Sequence, residues 1–193
     1  MAPIAGSASA AWQHRDARAG LEVVFLDAGG DVCRAEGATS AVEDGEPWIV
    51  SYEIELAPNW TTRTARVVSR SRHGRCEVRL EADGAGRWLV DGAPAAHLDG
   101  CLDVDLESSA LTNAFPVHRL ALEPGEDAEA PAAYVRALDL RVERLEQRYA
   151  RLGDDGRRQR YRYAAPAFDF ECVLNYAADG LVADYPGIAI RVR

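Results

Sequence analysis

The residues of this chain best suited to chemistry fall in one stretch, LDGCLDVDLESSALTNAFPVHRLAL, residues 98 to 122. Its middle, CLDVDL, alternates between apolar and acidic residues, which argues for a half-buried strand because successive side chains point to opposite faces. Leu102, Val104 and Leu106 then share one face, and Cys101, Asp103 and Asp105 the other. Two carboxylates on one face can divide acid and base roles when their surroundings split their pKa values, and His118 adds a third titratable group. No GxSxG, HExxH or comparable motif accompanies them. His97, Asp99, Cys101, Asp103 and Asp105 are residue types that ligate transition metals. Asp99-Gly100 is a turn signal that breaks their continuity, so no metal and no cofactor is expected. The plain alternative for the acidic face is a solvated strand surface.

Aromatic residues supply a second kind of chemistry. Trp60, next to Arg63, and the run QRYRYAAPAF with Tyr161 and Tyr163 are suited to lining a pocket for an amphiphile. Tyr and Trp present an apolar body and one hydrogen-bonding end. Ordinary core and sheet packing is the alternative for each. His14 and His73 read as exposed, and strand alternation would put His118 and its neighbour Arg119 on opposite faces.

The elements that must position these residues read as a chain of hairpins. Asp-Gly occurs at 44–45, 83–84, 91–92, 99–100, 155–156 and 179–180, and tight hairpin turns favour this pair because they need positive φ. Between the turns lie strand-like segments: 21–27, 48–56, 61–69, 76–83, 87–91, 168–176 and 181–186. Segment 76–83 puts Cys76, Val78 and Leu80 on one apolar face, and 168–176 does the same for Cys172. Residues 123–133, acidic and Pro-rich, and GDDGRR at 153–158 read as surface loops. Residues 138–152 fit both periods; Leu138, Val142, Leu145, Tyr149 and Leu152 at helical spacing favour a helix.

At 193 residues the chain fits a single domain, 1–193. The net charge of −9 argues against nucleic acid, whose binding rests on neutralising phosphates, and against anionic membrane surfaces. All 22 basic residues are Arg, which excludes P-loop and Schiff-base lysine chemistry. Cys33, Cys76, Cys101 and Cys172 make no CxxC pair, so structural thiols are expected. MAPIAGSASAAW has neither a basic n-region nor an apolar h-region, so no leader is read there. No apolar run approaches the roughly 18 residues of a membrane helix. The expected compartment is the cytoplasm.

Several short blocks occur together in order: LDGC (98–101), DVDL (103–106), TN-x-FP (112–116), RL (119–120), Q-x-Y (147–149), YRY (161–163) and GLVADYPG (180–187). Upstream stand Trp12, Gly20-Leu21-Glu22, Tyr52 and Trp60-Thr61-Thr62-Arg63. With these, nearly the whole chain resembles the bacterial putative glycolipid-binding protein family. The resemblance implies an all-β fold, a large curved antiparallel sheet forming an incomplete barrel or β-roll, similar to periplasmic lipoprotein carriers. It also tips 138–152 towards a strand. It implies no catalytic residues. The sequence departs from the family pattern at His118, where an Arg is more usual, and at Ser108-Ser109-Ala110-Leu111, which replaces a Thr-Pro-Phe-like step.

A rolled sheet has an inner and an outer face, and carboxylates turned inward require partners. Arg119 and Arg63 are the expected ones, since Arg can grip a carboxylate bidentately. The expected ligand site is therefore Asp103, Asp105, Asn113 and Arg119, with Trp60, Arg63, Gln147, Tyr149, Tyr161 and Tyr163 around them. Its expected occupant is a lipid-like or glycolipid-like amphiphile, held in an apolar cavity without chemistry. Two other classes stay open: an enzyme using Asp103, Asp105 and His118 in the same cavity, and an oligomeric interaction module pairing through an exposed edge.

Overall fold

Long alternating segments dominate the N-terminal half, and they form a continuous antiparallel ladder: β1 (Ser7–His14), β2 (Ala19–Asp27), β3 (Cys33–Glu43), β4 (Glu46–Leu56), β5 (Thr62–Ser71) and β6 (Gly74–Ala82). The computed structural model describes residues 6–156 and 158–192. Residues 1–5 of the segment read for a leader, and Arg157 of the GDDGRR loop, lie outside the described residues. Asp44 and Gly45 at the β3–β4 turn have φ of 49° and 80°, the positive values that a tight hairpin needs.

Short strands β7 (Trp88–Val90) and β8 (Ala93–Pro94) finish one edge of this sheet. The chain then turns inward as β9 (Asp103–Leu106) and the helix α1 (Ala114–Leu120). It returns to the large sheet at β10 (Asp127–Glu129), its other edge. β11 (Ala132–Val135) and β12 (Val142–Leu145) join β9 in a second, three-stranded sheet, with β9 and β11 parallel. β13 (Arg148–Arg151), β14 (Gln159–Ala165), β15 (Phe170–Tyr176), β16 (Val182–Tyr185) and β17 (Ala189–Arg191) complete the large sheet, β17 pairing with β1. The 14-stranded sheet runs from β10 to β8 and does not close. The fold is all-β, an incomplete barrel.

The interior of the roll is occupied by the chain itself. Leu98, Val104, Leu111, Phe115 and Val117 are fully buried and pack with the inward residues of the large sheet, such as Trp12, Ile54, Leu56 and Leu80. The free edge of β9 is held by β5: the Val104 N–H donates to Thr62 Oγ1 at 2.9 Å, and the Thr62 N–H to the Leu102 carbonyl at 3.0 Å. Burying a strand edge requires such partners.

Several sequence expectations change here. Residues 138–152 form no helix; β12 and β13 lie there, because β12 pairs with β11 and β13 with both β10 and β14. Residues 123–133 are not all loop, since they hold β10 and the start of β11. His118 and Arg119 lie on a helix, where strand alternation does not apply. Cys76 is exposed because the inner sheet ends beside the neighbouring Ser69, which donates to the Ala137 carbonyl at 2.7 Å. His14 is buried. All four cysteines are free thiols. No described helix is long and apolar enough to cross a membrane.

Candidate functional site

Asp103 and Asp105 lie two residues apart on β9 and are 1% and 7% exposed, so they do not form a solvated acidic face. β9 is inside the roll with both faces covered, and the half-buried strand read from CLDVDL is fully buried. Asp103 is gripped by Arg119 from α1, with Nε to Oδ1 at 3.0 Å and Nη2 to Oδ2 at 2.6 Å. Burial pushes the Asp103 carboxyl up, and the Arg119 fork opposes that push. Asp105 has no cation within ion-pair distance among the described residues. It accepts hydrogen bonds from Thr112 Oγ1 and Gln147 Nε2, each at 2.6 Å, and burial pushes its carboxyl up. Gln147 Nε2 also donates to the Tyr163 hydroxyl at 2.9 Å. The Tyr149 hydroxyl donates to Asn113 Oδ1 at 3.0 Å, and its ring lies 5.1 Å from that of Tyr163.

Asp105, Asn113, Gln147, Tyr149 and Tyr163 therefore form one connected cluster, and Asp103–Arg119 is a separate pair on the same strand. The other three expected site residues fall elsewhere. Trp60 stacks face to face on His118, with centroids 3.9 Å apart and planes 8° from parallel. Tyr161 packs beneath the Arg151 guanidinium, 5.1 Å from its centroid, and edge-on to Tyr176. Arg63 is exposed on β5 and bonds neither carboxylate: it is the extra residue of a β-bulge opposite Glu55 and Leu56, which breaks the inward alternation of Ala65, Val67 and Ser69 and turns it out.

Beside the cluster opens a cleft of about 300 Å³, lined by Asp105, Asn113 and Tyr163 of the expected site. One wall is aromatic: Tyr163, Phe170 and Tyr185 pack together, and Tyr134 on β11 packs against Phe168 with ring centroids 5.5 Å apart. The rim carries four charged residues, Arg18, Glu43, Glu107 and Arg136. Glu107 and Arg136 satisfy each other at 3.2 Å, and the Ala137 N–H donates to the second Glu107 oxygen at 2.8 Å. The Arg136 guanidinium also covers the Tyr134 and Phe168 rings, at 5.1 and 5.3 Å. A mainly apolar cleft with a few placed polar groups is the ordinary form of a small-molecule site, and about 300 Å³ is the small end of that range.

Sequence reasoning missed a third buried carboxylate. Glu22 is fully buried on β2. It accepts hydrogen bonds from the Tyr52 hydroxyl at 2.6 Å, from Ser109 Oγ, and from the Ala110 N–H at 2.7 Å. Burial pushes its carboxyl up, and these donors oppose the shift. Gly37 makes the arrangement possible: a Cβ there would lie 2.4 Å from the Tyr52 hydroxyl. The Ser108–Leu111 step, which departs from the family pattern, is thus where the inner chain docks on Glu22; the Ser108 carbonyl also accepts from Thr39 Oγ1 at 2.7 Å. The inward turn of Glu22 leaves Leu21, Val23 and Phe25 outside. Apolar residues at 23–26 hide that phase in the sequence.

His118, Asp103 and Asp105 do not converge on one open space; of the three, Asp105 lines the cleft. Burial lowers the His118 imidazole to about 4, so near neutral pH it is an uncharged ring stacked on Trp60.

Residues 9–191 match a family described as putative glycolipid-binding. The crystal structure of a DUF1089 family protein from Pseudomonas aeruginosa superposes on this chain with a TM-score of 0.77 and 32% sequence identity, covering 97% of this chain and 92% of that one. No curated protein matches.

Proposed function

The chain belongs to the putative glycolipid-binding family, and from that premise we propose that it binds a small amphiphile in the cleft beside Asp105, as a single domain and without chemistry. The observation that carries this is a cleft lined by aromatic rings and charged groups together. A ligand with an apolar segment would lie along Phe168, Phe170, Tyr163 and Tyr185, with its polar head towards Arg18, Glu43, Glu107 and Arg136. The cleft volume suits a single chain or a compact ring rather than a whole diacyl lipid. Asp105 and Asn113 supply polar contacts whose positions Thr112, Gln147 and Tyr149 fix. Such second-layer support is what holds a recognition group in place.

A test follows from Ala17, an exposed residue at the cleft mouth. A dansyl-labelled acyl probe should gain fluorescence on binding and be displaced by unlabelled amphiphile. Ala17→Trp, which fills the mouth from the surface, should weaken that binding at least tenfold while leaving the unfolding curve in place. Equal probe binding by the variant would place the probe elsewhere.

One observation favours a second function, an interaction module. Leu21, Val23 and Phe25 are 42%, 37% and 63% exposed on the outer face of β2, with Ile49 at 52% nearby on β4. Apolar patches of this kind mark association surfaces. An amphiphile that settled on this face, rather than in the cleft, would favour that function.

A further inference from the structure

We propose that Arg18 is the anchor for an oxyanion, so that the amphiphile taken by the cleft carries a phosphate-like or carboxylate head. This rests on the cleft-binding function above and adds the chemistry of the head group. Arg18 lies in the β1–β2 turn, its N–H bonded to the Arg15 carbonyl at 3.1 Å. Its side chain turns inward and is 6% exposed. Nε and Nη1 are buried and donate to nothing among the described residues. The nearest carboxylate contact, Glu43, stands at 3.9 Å, beyond hydrogen-bond reach, and that side chain is 35% exposed to water. A guanidinium carries five donors, and a buried charge without hydrogen-bond partners is unfavourable enough to call for an explanation.

The surroundings are built around this group. Register continues from Trp12 opposite Glu22 to place His14 beside Gly20, then Ala41, then Trp48, as one inward row across four strands. Arg18 reaches both ends of the row. Its Cζ is 5.2 Å from the Trp48 ring centroid, and its charge adds to burial in holding the His14 imidazole down, at about 4. The Ile188 carbonyl lies near that ring, yet neither His14 nitrogen completes a hydrogen bond. The Trp48 indole N–H is also unpaired. Among the described residues, polar groups without partners thus surround Arg18, which alone of the three lines the cleft.

Of the other charges in the cleft, Glu43 stands 3.9 Å from Arg18 itself, and the rest have closer partners. Glu107 is paired with Arg136, and Asp105 is held by Thr112 and Gln147. Arg18 is the charged group at the rim whose donors await an acceptor, and an oxyanion supplies several acceptor atoms at once.

Calorimetric titration of the full chain with decyl phosphate, decyl maltoside and inorganic phosphate, each amphiphile kept below its micelle concentration, tests this. Wild type should bind decyl phosphate about 10- to 100-fold more tightly than decyl maltoside, the range expected for charge-assisted hydrogen bonds. Arg18→Met should lose that preference and bind the two amphiphiles about equally. The ligand-free variant should melt no lower than wild type, because the substitution removes a desolvated charge; a strongly destabilised variant would make Arg18 structural and overturn the assignment. Equal affinities for the two amphiphiles in wild type would also overturn it, while leaving the cleft as an amphiphile site. Inorganic phosphate binding as tightly as decyl phosphate would mean a free-anion site and reject the head-group assignment. Binding of neither amphiphile would reject the cleft itself.

Discussion

Replacing Arg119 with methionine is expected to lower the unfolding free energy by about 3–5 kcal/mol, the cost of leaving one member of a buried ion pair alone. The partner left behind is Asp103, 1% exposed on a strand with both faces covered. Its two oxygens take both arms of the Arg119 fork, so the substitution removes its charged hydrogen bonds together. Asp103→Asn should be damaging as well, since it leaves the guanidinium facing an amide. The double variant Asp103→Leu/Arg119→Met should recover much of the loss, because a buried pair replaced by apolar residues of similar volume is often close to neutral. Urea unfolding of the singles and the double, analysed as a double-mutant cycle, measures the coupling. Losses below about 1 kcal/mol in both singles, the scale of an exposed pair, would mean that the strand face is solvated after all.

The second large effect is at Glu22. Glu22→Ala should cost about 4 kcal/mol or more, since it strands the Tyr52 and Ser109 hydroxyls and the Ala110 N–H, each worth roughly 1–3 kcal/mol when buried and unpaired, and leaves a void. Tyr52→Phe removes one donor and should cost less. The pH dependence separates Glu22 from the buried histidine. Burial raises the Glu22 carboxyl above its ordinary 4.5, so folding favours its protonated form. Its contribution is fully present below about 4.5 and is lost as pH rises through the folded value. His14 runs the other way. Its pKa falls from 6.5 to about 4, so its contribution is present above 6.5 and is lost as pH falls towards 4. The stability difference between wild type and Glu22→Gln should therefore shift against wild type between pH 5 and pH 8. A difference that does not change with pH would show that Glu22 titrates normally.

Much of the fold is legible in the sequence, for stated reasons. Asp-Gly pairs mark turns because few other residues tolerate positive φ, and alternation in WIVSYEIEL fixes an inner face at Val50, Tyr52, Ile54 and Leu56. The carboxylate-to-Arg119 pair was also within reach, since a buried acid in a rolled sheet requires a hydrogen-bonding partner and Arg can grip a carboxylate bidentately. Other features depend on contacts between distant segments. Glu22 is inward because Tyr52, thirty residues on, and Ser109, eighty-seven residues on, meet it there. Arg63 was misplaced because its sequence neighbour Thr62, and not Arg63 itself, meets β9. His14 and Arg18 gave no signal, because only the folded row from His14 to Trp48 shows what lies beside them. Helical spacing in 138–152 lost to strand pairing with β11, β10 and β14, a case of tertiary structure overriding local period.

Backbone amide chemical-shift mapping of the labelled chain, titrated with decyl phosphate below its micelle concentration, tests the binding cleft most directly. The account predicts shifts concentrated at Tyr163, Ala165, Phe170 and Tyr185 along the wall and at Arg18 on the rim. Shifts confined to Leu21, Val23 and Phe25 on the outer face, or no shifts at saturating amphiphile, would contradict it.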